Sequence, residues 1–118
     1  MAKKDGIFMS NYRSDKWGNR FWYNGDLIHR EDGPAIEMSN GNREWWIDGR
    51  RHREDGPAVE CYDGTKRWYK DGYLHRDDGP AIEFSNGGVS WYIDGIKLHH
   101  GGVVNDLVEK FRSRGCHV

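Results

Sequence analysis

Residues 44–64 read EWWIDGRRHREDGPAVECYDG, and near-copies stand on both sides: FWYNGDLIHREDGPAIEMSNG at 21–41 and RWYKDGYLHRDDGPAIEFSNG at 67–87. The copies are offset by 23 residues each time. A fixed period of this length is the mark of a repeat architecture, in which each unit buries its apolar face on its neighbours. Trp22, Trp45, Trp68 and Trp91 keep the period, and each is followed by a second aromatic, Tyr23, Trp46, Tyr69 and Tyr92. His29, His52 and His75 keep it too, as do Pro34, Pro57 and Pro80. A fourth copy, VSWYIDGIKLHHGG at 89–102, begins in register and loses the Asp-Gly-Pro-Ala element.

The chain therefore divides as a single repeat domain over residues 1–118. A degenerate half-unit covers 7–18, full repeats cover 19–41, 42–64 and 65–87, and a truncated repeat covers 88–103. Residues 104–114 read as a helix: Asn105 can cap it, Val104, Leu107, Val108 and Phe111 form an apolar stripe, and Arg112, Arg114 and Gly115 end it. Such a helix would cap the last strand and protect its edge.

Within each unit, Asn-Gly and Asp-Gly pairs mark two turns. Asn24-Gly25, Asp48-Gly49, Asp71-Gly72 and Asp94-Gly95 form one set, and Asn40-Gly41, Asp63-Gly64 and Asn86-Gly87 the other. Pairs of this kind supply the positive φ values of type I′ hairpins, so antiparallel strands are expected at their flanks. Arg43 to Ile47 and Ala58 to Tyr62 suit strands, being rich in β-branched and aromatic residues. Pro34, Pro57 and Pro80 lack an amide hydrogen and fit the first residue of a strand. The segment just before each Asp-Gly-Pro-Ala is open between strand and loop. By alternation, the Trp22, Trp45, Trp68 and Trp91 row takes one face, while Tyr23, Trp46, Tyr69 and Tyr92 point oppositely.

Composition bounds the function. With 18 Lys and Arg against 19 Asp and Glu, the net charge of −1 fits neither a polybasic nucleic-acid binder nor a DNA-mimicking acid. Mean hydropathy is −0.98, and no stretch approaches the ~20 apolar residues of a membrane span. Met1-Ala2-Lys3-Lys4-Asp5 leads into no apolar leader segment. Two cysteines, Cys61 and Cys116, make neither a disulfide framework nor a zinc cluster and suit a reducing compartment.

The pattern Trp-aromatic-x-Asp/Asn-Gly-x-x-His, best carried by Trp45 to His52 and Trp68 to His75, resembles the MORN repeat in its variant form over roughly residues 19–95. That resemblance implies an all-β fold: an elongated antiparallel β-hairpin repeat, a single twisted sheet or solenoid serving as an interaction scaffold. The sequence departs from the common pattern after the histidine, where Arg53-Glu54-Asp55-Gly56-Pro57-Ala58 replaces closely spaced glycines. This form is similar to that of small bacterial, phage and large-virus proteins, and some proteins of the MORN-variant kind are labelled antitoxins.

Three functional readings follow. The first is a non-enzymatic, cofactor-free protein that binds a protein partner, as a stoichiometric inhibitor in bacterial and phage conflict. An antitoxin or a phage counter-defence protein such as an anti-CRISPR would be of that kind, acting in the cytoplasm, that of the host if phage-encoded. Its binding face would be Tyr23, Trp46, Tyr69 and Tyr92 flanked by Glu37, Glu60 and Glu83, large rigid aromatics among acids. Pairing of two copies through a sheet face or edge is a further expectation, because a single-layer sheet leaves apolar surface uncovered.

The second reading is a nucleic-acid or nucleotide binder using the charged edge of Arg30, Arg53 and Arg76 with aromatic stacking. The third is a metal-dependent hydrolase using the pairs His29/Asp32, His52/Asp55 and His75/Asp78. Equivalent histidines would lie about 9–10 Å apart at two strands per unit, too far to share one ion. Three identical copies instead suit a structural His–Asp hydrogen bond that fixes each turn.

Overall fold

The computed structural model describes residues 11–98, and every regular element within them is a β-strand. In chain order the first half contains β1 (Asn11–Ser14), β2 (Arg20–Asn24), β3 (Leu27–Ile28), β4 (Ile36–Glu37), β5 (Arg43–Glu44), β6 (Trp46–Ile47) and β7 (Arg50–Arg51). The second contains β8 (Val59–Glu60), β9 (Lys66–Arg67), β10 (Tyr69–Lys70), β11 (Tyr73–Leu74), β12 (Ile82–Glu83), β13 (Val89–Ile93) and β14 (Ile96–Leu98). The helix expected over 104–114 lies outside the described residues, as do His99, His100 and Cys116.

The pairing is antiparallel throughout. A ten-stranded sheet runs β1-β2-β4-β5-β8-β9-β12-β13-β14, with β3 attached to β2, while β6-β7 and β10-β11 stand as separate two-stranded hairpins. This differs from a single sheet, and the tryptophan at the start of each hairpin is the reason. The Trp45 amide donates to the Ala58 carbonyl, whereas the Trp45 carbonyl accepts from the His52 amide. The strand thus changes partners at one residue. Before Trp45 it pairs with its neighbours in the long sheet, and after it the chain pairs with itself. Trp22 and Trp68 make the same exchange with Ala35 and His29, and with Ala81 and His75.

The two turn sets turn out to be different structures. Asp48-Gly49, Asp71-Gly72 and Asp94-Gly95 have positive φ at both residues, as a type I′ hairpin requires. In the first unit the loop is Gly25-Asp26, because Asn24 pairs with Leu27, and only Gly25 has positive φ. The 23-residue period aligns Gly25 with Asp48, so Asn24-Gly25 is offset by one from the later pairs. The other set is not type I′. Glu37 pairs with Arg43, and the Met38 amide donates to the Asn42 carbonyl around the three-residue loop Ser39-Asn40-Gly41. Only Gly41 there has positive φ, +101°, which is the type I turn followed by a glycine bulge. Asp15 to Asn19 closes β1 onto β2 with the same hydrogen bonds, Gly18 standing where Gly41 does.

Neither Pro34, Pro57 nor Pro80 begins a strand. The chain from His to Ala is a loop in each unit, and β4, β8 and β12 start two residues beyond the proline. The core is thin. Ala35, Ala58 and Ala81 are fully buried, Val59, Ile82 and Leu98 nearly so, and no large side chain among the described residues is completely enclosed. Across the sheet, the register places Arg20, Glu37, Arg43, Glu60, Lys66 and Glu83 opposite one another in succession, a ladder of alternating charge.

Candidate functional site

The loop between each histidine and the next strand repeats one hydrogen-bonded arrangement. Arg53 lies over the Trp45 ring with Cζ 3.8 Å from its centroid, and Arg76 lies at the same distance over Trp68. Arg30 stands 4.0 Å over Trp22. Each guanidinium also closes its own loop: Arg53 Nε donates to Asp55, and Nη1 donates to the Pro57 carbonyl and to Glu60. Arg76 does the same with Asp78, Pro80 and Glu83. Stacking on an aromatic face while remaining hydrogen-bonded at the edge suits the flat guanidinium.

The glycine of the Asp-Gly-Pro step makes room for it. A Cβ at Gly33, Gly56 or Gly79 would come within 3.2, 3.1 or 2.9 Å of Cζ of Arg30, Arg53 or Arg76. The tryptophan, the arginine and this glycine are therefore one packed layer per repeat. Arg30, Arg53 and Arg76, expected as an exposed charged edge, are three-quarters covered, at 22–25% side-chain exposure. Their Nε and Nη1 donors are held by their own loops and the following strand, so these groups do not form a free cationic row.

The histidines join successive units. Nδ1 of His29, His52 and His75 accepts the backbone amide of Asp48, Asp71 and Asp94, 19 residues on, at 2.9–3.0 Å. An acceptor at Nδ1 places the proton of the neutral ring on Nε2, which donates to Glu31, Glu54 and Asp77 respectively. Each histidine thus faces two carboxylates, that of the residue two after it at Nε2 and that of Asp48, Asp71 or Asp94 at 3.2–3.3 Å from Nδ1. Asp32, Asp55 and Asp78, expected as the histidines' partners, bind the arginines instead. Among the described residues, no group of three or more His, Cys, Asp or Glu is placed to hold a metal ion. Cys61 is half-buried and unpaired with another cysteine.

The opposite margin is joined in a parallel way. Asn19 and Asn42 accept the Ser39 and Tyr62 amides at 2.7 Å through Oδ1, and Thr65 Oγ1 accepts from Ser85 at 3.2 Å. Asp15 and Asp63 stabilise the turns on this margin. The Asn19 side chain, with the Asn19 and Trp17 amides, holds the Asp15 carboxyl below the ordinary aspartate range. The Thr65 backbone amide, with its hydroxyl, does the same for Asp63.

The expected aromatic face needs one correction. Tyr23, Trp46, Tyr69 and Tyr92 are half-buried, and Arg51 lies between Trp46 and Tyr69, 4.9 and 5.3 Å from their centroids. Glu37, Glu60 and Glu83 do not flank this row. They reach the arginines that cover Trp22, Trp45 and Trp68, and so belong to the tryptophan face. The carboxylate beside Trp46 is Glu44, which accepts from the indole Nε1 and from Arg51 Nε.

Between successive loops lie two open grooves of about 590 and 620 Å³. Trp45 and Ile47 line the first, between the loops of units one and two, and Trp68 and Tyr69 line the second. Glu54 and Asp55 line both, with Glu31 and Asp32 across the first and Asp77 and Asp78 across the second. Arg30 and Arg53 also line the first groove, and Arg53, Arg76 and Lys70 the second. The six carboxylates are 67–87% exposed, whereas the three arginines are 22–25% exposed. The grooves were not legible in the sequence, although the constant offset of Trp, Arg and Gly in each unit was the available signal.

No helix among the described residues is long and apolar enough to cross a membrane. Comparison with protein-family models, curated proteins and solved structures returns no match.

Proposed function

We propose that this chain is a non-enzymatic scaffold of the MORN-variant type that binds a protein partner across several repeats. The observation that carries this reading is the recurrence of one groove at two successive joints, with the same loop shared as the rim of both. A catalytic centre has no need of copies, whereas an extended contact gains from each one. Both ring nitrogens of His29, His52 and His75 are engaged in hydrogen bonds, which leaves them poorly placed to act as bases. The arginines, committed to tryptophan faces and to their own loops, lend little to the nucleic-acid reading.

Within this reading the chain acts as a small stoichiometric inhibitor, of antitoxin or phage counter-defence kind, in the cytoplasm. Self-association through a sheet face or an edge belongs to the same proposal and is read by light scattering on the purified chain.

Co-purification with mass spectrometry tests the reading. A protein partner recovered in equimolar amount by the wild type, and lost with Glu54→Gln plus Asp55→Asn, supports it. Retention of that partner by this variant and its loss on Trp46→Ala plus Tyr69→Ala would move the contact to the aromatic face. Recovery of nucleic acid with no protein would contradict the reading.

A further inference from the structure

We infer that the two grooves together seat a basic polyproline II segment of the partner, carrying a lysine or arginine at positions i and i+3. This inference rests on the protein-binding reading and names the partner's chemistry. Three observations support it, each independent of the others.

Spacing comes first. Successive units are two strands apart in the order β4-β5-β8-β9-β12, so equivalent points recur at about 9.4–9.8 Å. A polyproline II helix has three residues per turn and rises about 3.1 Å per residue, which returns the same face every ~9.3 Å. A β-strand returns its face every two residues, at about 6.6–6.8 Å, and misses the second groove. The lining comes second. Trp45 and Ile47 line the first groove and Trp68 and Tyr69 the second, with Lys70 in the place of Ile47 and each tryptophan already stacked by its arginine. Such aromatic walls are the kind on which proline rings and aliphatic stems pack.

Charge is the third. Glu54 and Asp55 stand between the two grooves with side chains 84% and 87% exposed, and Glu31, Asp32, Asp77 and Asp78 stand on the outer rims. Arg30 and Arg53 also line the first groove, and Arg53, Arg76 and Lys70 the second, but the four carboxylates of each groove outnumber these cations. A basic side chain can lay its stem along the aromatic wall and place its charged end at the rim.

Two peptides of equal composition test this, each of eight residues with six prolines and two arginines. One has arginine at positions 3 and 6, the other at 3 and 5. Fluorescence anisotropy with the full chain should show the first binding at least about tenfold more tightly. Glu54→Gln plus Asp55→Asn should remove that preference, while Asp63→Asn on the other margin leaves it intact, with circular dichroism reporting the fold of both variants. Equal binding of the two peptides, or no binding of either, overturns the inference. If a protein partner is nevertheless captured by co-purification, the broader reading survives; if none is, that reading fails on its own test.

Discussion

The Asp71 amide donates to Nδ1 of His52 at 3.0 Å, across a joint between units and 19 residues along the chain. His29 with Asp48 and His75 with Asp94 repeat the relationship. Each histidine is thereby the acceptor that a type I′ turn of the next unit lacks within itself, and it binds the hairpins into a row.

His52→Ala removes that acceptor and leaves the Asp71 amide to solvent. The expected cost is about 1 kcal/mol in urea unfolding, the ordinary worth of one hydrogen bond in a partly exposed place. Hydrogen exchange of the Asp71 amide should accelerate while that of Asp48 stays unchanged. Long-range ¹⁵N spectra of the wild type should show all three histidines as the Nε2–H tautomer. A dominant Nδ1–H form would contradict the hydrogen-bond assignment.

Gly79→Ala places a methyl 2.9 Å from Arg76 Cζ. The guanidinium can swing away, so the cost is the lost stack on Trp68 and the lost bond to Pro80, about 1–2 kcal/mol. A double-mutant cycle separates this from backbone effects. In an Arg76→Ala background, Gly79→Ala should be nearly neutral, because the displaced group is already absent. An undiminished penalty in that background would mean that the glycine serves the backbone alone.

Arg53→Lys keeps the charge but cannot reproduce the flat stack on Trp45 or serve Asp55, Pro57 and Glu60 together. A loss of about 1–2 kcal/mol is expected from denaturant unfolding. A lysine variant as stable as the wild type would reduce the arginine to a simple surface charge.

Acid should loosen the turn margin. The folded-state values of Asp15 and Asp63 are lowered, so their contribution is fully present above the unfolded value of about 3.9 and disappears as pH falls through the lower folded values. Carboxyl ¹³C titration should find both below that value. Asp63→Asn retains an oxygen for the Thr65 amide and should blunt the acid response. Titration of Asp63 at or above the ordinary value would contradict the turn geometry.

The period, the strand-and-turn character and the type I′ loops at Asp48-Gly49, Asp71-Gly72 and Asp94-Gly95 were legible, because each is a local property read at fixed spacing. The face of Glu37, Glu60 and Glu83 was not. Strand alternation counts only along continuous strand, and the loop from His29 to Ala35 resets it. Asn40-Gly41 resembled a two-residue turn for a related reason: the pair is the same, and only the pairing of Glu37 with Arg43 lengthens the loop. The histidine's partners were hidden because one lies in the next unit and the other, Glu31, was a neighbour of the aspartate expected in its place. Arg30, Arg53 and Arg76 read as edge charges since nothing in sequence alone shows a guanidinium lying flat beneath its own loop.

The most direct measurement is a hydrogen-exchange footprint of the complex with the co-purified partner. Protection is expected to concentrate at residues 29–35, 52–58 and 75–81, the three groove-forming loops. Protection confined to the Asp15–Asn19, Asn40-Gly41 and Asp63-Gly64 margin, with those loops exchanging as in the free chain, would contradict it.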